Sequence, residues 1–180
     1  MIFHESPLPG AYTIEMARAE DDRGFFARSY CAEEFAAQGL PAVLPQSSVS
    51  FNARRGTLRG MHYRAEPHAE DKLVRCTSGA VYDVIVDLRP GSPTQRLWFG
   101  TELTAGNHRS LFVPKGFAHG FITLDDDTEI LYMISVPYLP GFDRGVRWND
   151  PAFGIAWPIE PAFMAARDAA YPLLDAPTPT

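Results

Sequence analysis

Apolar and polar positions alternate along this chain in short runs, broken by glycine and proline roughly every ten residues, which is the pattern of an all-β protein. The runs predict strands over Tyr12–Ala17, Phe25–Tyr30, Ser47–Asn52, Leu58–Tyr63 and Leu73–Cys76. Further strands are predicted over Val81–Leu88, Leu97–Leu103, Leu111–Val113, Phe117–Leu124 and Ile130–Val136. Ser78-Gly79 separates two of them as a hairpin turn would. Only two segments read as helix: Ala32–Gln38, stopped by Gly39, and Ala162–Ala170, ending before Pro172. Many short strands with turns between them imply a sandwich, jelly roll or barrel. The run VYDVIVDL is apolar on both parities. Tyr82, Val84, Val86 and Leu88 share one face, and Val81 and Ile85 share the other with Asp83 and Asp87. Such a strand is covered on both faces, by a second sheet or a partner subunit, so a homodimer is expected.

Composition narrows the function classes. With 46% apolar and 21% charged residues over 180 positions, the chain can bury a core as one domain spanning 1–180. Its tail, DAPTPT, is expected to fray from about residue 175. A formal net charge of -6 argues against nucleic acid or an anionic membrane surface as partner. No apolar run is long enough to span a membrane and the first residues lack a signal peptide, so a cytoplasmic protein is expected. Cys31 and Cys76 match no zinc or redox spacing and read as small apolar side chains.

Chemistry concentrates in three stretches. Gly56–Arg75, GTLRGMHYRAEPHAEDKLVR, sets Arg59, His62, Lys72 and Arg75 on adjacent short strands, a cationic cluster suited to a small anionic ligand. Arg64, Arg75 and His68 read there as solvated rim residues. VPKGFAHGFITL places His119 between glycines and phenylalanines, where it is either a satisfied core histidine or a site group. In TEILYMISVPYLP, Tyr132 shares parity with Ile130 and Ile134, as a strand-interior aromatic does. Taken alone, Asp168 reads as surface charge. Metal-binding jelly rolls usually present two histidines one residue apart on a strand. His62 has Gly60 and Arg64 at those offsets and His119 has Phe117 and Phe121, so no metal is expected.

Across these motifs the chain resembles the dTDP-4-dehydrorhamnose 3,5-epimerase family, also called dTDP-4-keto-6-deoxyglucose 3,5-epimerase. The resemblance runs through DDRGFF at 21–26, GTLRGMHY at 56–63, DKLVR at 71–75, DVIVDLRPGSPT at 83–94, PKGFAHGF at 114–121, RWNDP at 147–151 and WP at 157–158. It implies a cupin-type jelly roll (a double-stranded β-helix), a dimer, no metal and no cofactor. It implies His62 as catalytic base, Asp168 as the carboxylate that orients it, Lys72 facing the developing enolate, and Tyr132 as the acid on the opposite face of the sugar. Arg23, Gln46, Arg59, His119, Asp143 and Arg167 are implied as nucleotide and sugar contacts, and Tyr138 as the ring that stacks on the base. Arg28, Ser48, Asp143 and Arg167 depart from the family pattern. The activity implied is inversion beside the ketone of a nucleotide-linked 4-keto-6-deoxy sugar. The alternatives are a single-centre epimerase on another nucleotide sugar, a sugar ketoisomerase, and a non-catalytic nucleotide-sugar binding module.

Strand alternation puts Leu58, Gly60, His62 and Arg64 on one face and Arg59 on the other. The resemblance requires Arg59 and His62 to reach one ligand, which predicts a β-bulge or local break near Gly60.

Overall fold

The computed structural model describes residues 1–174. The tail expected to fray lies outside the described residues. The chain opens with β1 (Ile2–Glu5), β2 (Tyr12–Glu15), a short hairpin of β3 (Ala19–Asp21) and β4 (Gly24–Phe26), and α1 (Ala32–Ala37). β5 (Gln46–Asn52), β6 (Thr57–Arg64), β7 (Lys72–Ser78), β8 (Ala80–Asp87) and β9 (Trp98–Thr104) follow. Then come β10 (Ser110–Val113), β11 (Phe117–Thr123), β12 (Thr128–Ile134), β13 (Asp143–Gly145), β14 (Phe163–Met164) and α2 (Ala166–Ala169).

Two six-stranded sheets carry the fold. One has the order β1-β2-β10-β7-β12-β5; the other runs β13-β6-β11-β8-β9, with β14 joined to β6. Pairing is antiparallel except for β14 on β6. The sheets are a cupin-type jelly roll. Val74 and Cys76 from one sheet meet Val81, Ile85, Leu103, Phe117 and Phe121 from the other in the central core.

Each sheet also has a covered outer face. On the first, Leu73 and Phe112 pack with Phe35 of α1, beneath Tyr30, Leu40 and Leu44. On the second, Val84, Val86 and Ala118 pack with Val146 and Phe153, flanked by Ile155 and Trp157. The double-faced β8 is therefore covered by the chain's own residues 146–157, and its pattern carries no argument for a partner subunit.

Each predicted strand is present within a few residues, apart from Phe25–Tyr30, which shrinks to β4, while the short strands β1, β3, β13 and β14 are not among those predicted. Two other local expectations give way. Ser78-Gly79 is no hairpin turn, because β7 and β8 lie in different sheets and the chain crosses between them there. Gly79 sits at φ +73, and a Cβ on it would come within 2.4 Å of Thr128 Oγ1. Only glycine fits that crossing. The predicted C-terminal helix is cut to four residues, because the N–H groups of Ala162 and Phe163 both donate to the Gly56 carbonyl, at 2.9 and 3.1 Å. That tether lays β14 parallel to β6 and delivers α2 beside it.

Candidate active site

Between the sheets opens a cavity of about 660 Å³. Arg59 and His62 of β6 and His119 of β11 line it from one sheet; Ser48 of β5, Lys72 of β7 and Tyr132 of β12 line it from the other. Arg167 and Asp168 of α2 close one side.

Arg59 and His62 share this cavity because β6 bulges. Arg59 pairs with Phe121, while His62 pairs with His119, so three steps on β6 oppose two on β11. The extra residue resets the alternation of side chains. Gly60 lies within the irregularity at φ +141, and a Cβ there would come within 2.6 Å of Gly120 Cα. The break predicted near Gly60 is present; the positive φ there uses glycine's backbone freedom, and the approach of Gly120 adds a steric need for it.

His62 Nε2 lies 2.8 Å from Asp168 Oδ1, and Asp168 Oδ2 accepts the Gly60 N–H at 3.1 Å. Asp168, which alone reads as surface charge, is only 2% exposed. With Nε2 held by the carboxylate, the other ring nitrogen is left to take a proton. Burial pushes the His62 imidazole below its usual pKa; Asp168 pulls it up, and Lys72 and Arg167 push it down again. The ring is therefore neutral, and able to accept a proton, at neutral pH.

Across the cavity, burial drives the Tyr132 hydroxyl far above the usual phenol range, with the Asp83 charge adding to it. Tyr132 therefore keeps its proton. His119 bonds through Nε2 to both oxygens of Asp83, at 2.9 and 3.0 Å, and meets the Tyr132 ring edge-on at 6.0 Å. Lys72 is nearly buried and pairs with Glu70 at 3.3 Å. The guanidinium of Arg59 donates to Asn52 Oδ1 at 2.7 Å. Arg167 projects outward, with its Nε 3.6 Å from Asp168 Oδ1.

A second chamber of about 190 Å³ adjoins the first, sharing His62, Lys72, Glu70 and Arg167 with it. Asp143, Arg144 and Tyr171 complete much of its wall. Beside it, the Tyr138 hydroxyl donates to Asp143 Oδ2 at 3.2 Å, and Gln46 Oε1 accepts the Tyr138 N–H at 2.6 Å. Tyr138 is 60% exposed, and neither it nor Gln46 lines the main cavity. Arg23 is not brought to the cavity either: it sits at the tip of the β3–β4 hairpin, 89% exposed along its side chain and paired with Asp21.

The rim reading of Arg64 is overturned. It is 5% exposed, because Glu70 and the carbonyls of Pro137 and Leu139 gather around its guanidinium. Glu70, Asp83 and Tyr171 escaped the sequence reading. Asp83 had a signal: it shares the inward parity of Val81 and Ile85, and a carboxylate aimed into a core needs a partner. Among the described residues, no three His, Cys, Asp or Glu side chains cluster so as to hold a metal ion.

Other resemblance motifs are structural. Asp87 is buried, yet bonds from Arg89, Ser92 and Thr94 outweigh that burial and hold its carboxyl well below the usual range. Asp150 of RWNDP accepts the N–H groups of Ala152 and Leu174.

The sequence profile of the dTDP-4-dehydrorhamnose 3,5-epimerase family matches residues 5–176. The dTDP-4-dehydrorhamnose 3,5-epimerase of Salmonella typhimurium is 41% identical over 177 residues, covering 97% of this chain and 96% of its own. The crystal structure of the Elizabethkingia anophelis enzyme of that name superposes with a TM-score of 0.93 at 36% identity, over 97% of this chain and 96% of the other. The Bacillus anthracis enzyme, solved with TDP and pyrophosphate bound, gives 0.92 at 42% identity, over 96% and 99%. The chain belongs to the dTDP-4-dehydrorhamnose 3,5-epimerase family.

Proposed function

We propose that this protein is an isomerase that converts dTDP-4-dehydro-6-deoxyglucose to dTDP-4-dehydrorhamnose by inverting the carbons beside the ketone. A carbon next to a carbonyl is a weak acid, and losing its proton leaves an enolate. In this reading His62 removes the proton, held in one tautomer by Asp168, and Lys72 meets the charge that grows on the enolate oxygen. Tyr132 returns a proton to the opposite face of the sugar ring. Inversion needs a base and an acid on opposite sides of one carbon. The observation that carries the reading is that His62 and Tyr132 line the same cavity from different sheets. Arg59, His119 and Arg167 are assigned to the diphosphate and sugar; Gln46, Tyr138 and Asp143, joined by hydrogen bonds, are assigned to the nucleotide end. The two free cysteines, Cys31 and Cys76, suit a reducing cytoplasm.

A homodimer is part of the proposal. β5 is a sheet edge, and its outward Val49 and Phe51 are 58% and 55% exposed. The β3–β4 hairpin also exposes Phe25 and Phe26 beside Arg23. A second copy's hairpin laid against β5 would cover both apolar patches and carry Arg23 to a cavity mouth lined by Ser48 and Ser50. Sedimentation at micromolar concentration should give twice the chain mass, and a monomer there would remove this part.

The test of the chemistry is incubation with dTDP-4-keto-6-deoxyglucose in heavy water, read by proton NMR. Deuterium at both carbons flanking the ketone, with inversion at each, is expected. Deuterium at one carbon would indicate a single-centre epimerase. Saturable binding without exchange would indicate a binding module.

A further inference from the structure

The cavity's lysine belongs to a buried chain of three charges. Lys72 Nζ lies 3.3 Å from Glu70 Oε1, and the other oxygen of Glu70 lies 3.4 Å from a guanidinium nitrogen of Arg64. The three side chains are 11%, 10% and 3% exposed, so water screens them little. Arg64 also reaches the segment that carries Tyr138. It donates to the carbonyls of Pro137 and Leu139, its guanidinium lies 5.6 Å from the centre of the Tyr138 ring, and its Nε is 3.8 Å from Asp143 Oδ1. That Nε is buried without a hydrogen-bond partner. Arg64 is thus committed to holding groups on two sides at the expense of its own saturation.

We propose that Glu70 is a positioning residue that fixes the Lys72 ammonium towards the reacting sugar, and that Arg64 is the counter-charge that keeps this arrangement productive. The inference rests on the epimerase reading of the same cavity. A lysine stem is flexible, and an unanchored ammonium spends its charge over many rotamers. Glu70 removes that freedom. A lone carboxylate beside Lys72 would also quench its charge and repel an enolate forming in the same space. Arg64 cancels the carboxylate, so the trio keeps a net single positive charge with Lys72 at its cavity end. Through Pro137 and Leu139 the same guanidinium ties the enolate-facing charge to the segment assigned to the nucleotide.

The experiment compares Glu70→Gln, Arg64→Gln and the double variant, with kcat and KM measured on dTDP-4-keto-6-deoxyglucose. Arg64→Gln leaves Glu70 to cancel the Lys72 charge, so kcat should fall roughly tenfold and KM should rise as the Tyr138 segment loosens. Glu70→Gln leaves two cations facing each other, and kcat should fall by a similar factor with KM nearly unchanged. The double variant keeps the trio's single positive charge but lacks the anchor, so its kcat should fall no further than that of Glu70→Gln alone. Losses that multiply in the double variant, or singles that alter only KM and thermal stability, would overturn the proposal. Should a single variant fail to fold, Glu70→Asp decides: it keeps the charge and withdraws the anchor, so kcat should fall, and an unchanged kcat overturns the inference. Wild-type protein that exchanges no deuterium when incubated with the same substrate in heavy water would instead sink the epimerase reading itself.

Discussion

Two histidine–carboxylate pairs face one cavity from neighbouring strands, in direct register, and they are built differently. His119 takes its carboxylate from the next strand, Asp83 on β8, and both partners are sealed, at 4% and 0% exposure. His62 takes its carboxylate from a helix 106 residues later, and its own ring stays 31% exposed. The first pair is held by both carboxylate oxygens on one ring nitrogen. The second shares its carboxylate with the Gly60 N–H, so Asp168 fixes both the ring and the bulge that aims it. The difference teaches that histidine chemistry is set by what surrounds the ring. A sealed pair braces the wall, while an accessible one with a free nitrogen can exchange protons with a ligand.

Parallel substitutions should separate the pairs most sharply. His62→Asn should lower turnover by about 10² to 10⁴ and abolish deuterium uptake, with the urea midpoint close to wild type. A His62→Asn protein that still turns over at a near-normal rate would move the base elsewhere. Next in size, Tyr132→Phe should lower inversion about 10²-fold while deuterium still enters beside the ketone, returned with retained configuration. Ring volume is kept, so packing loss should stay under about 1.5 kcal/mol. Inversion at the wild-type rate would reduce Tyr132 to a packed aromatic.

Asp83→Ala should act on the sealed pair in the opposite sense. Leaving buried His119 without its acceptor should cost about 1 to 3 kcal/mol, read from urea unfolding, while exchange catalysed by His62 persists. Equal damage to exchange would make the two pairs one functional unit. The smallest effect concerns pH. Because burial and the cations of Lys72 and Arg167 lower the His62 pKa, the acid limb of kcat/KM should fall below the ordinary histidine value of 6.5. Arg167→Gln removes one repelling charge, so that limb should move back towards neutrality. Movement to lower pH would reverse the assigned sign.

Local pattern carried the strands, because a half-buried strand writes its period into its own residues. The bulge needed more than pattern: alternation put Arg59 and His62 on opposite faces, and only the family resemblance required them to share a ligand. What pattern missed depended on distant neighbours. Phe163 and Met164 have helical company in sequence, yet the Gly56 carbonyl recruits this segment to a sheet edge. Arg64 looks like a rim cation until Glu70 and the carbonyls of residues 137 and 139 close around it. The Ser78-Gly79 turn was legible as a turn, but its crossing between sheets depends on the distant strands that β7 and β8 pair with. Asp168 was recoverable only through family resemblance, because nothing within ten residues of it announces a buried carboxylate.

That carboxylate gives the molecule an assembly order. β6 is synthesised in the first half of the chain, but its sheet partners β11, β13 and β14 all come from the second half. The ring stays without its anchor until β14 docks on β6 and α2 follows. A chain still emerging from the ribosome, or clipped ahead of residue 168, would hold a pocket in which His62 lacks its carboxylate partner. Alignment of the ring thus waits on a segment that arrives 106 residues after it, which links the geometry of the pocket to the docking of β14 and α2.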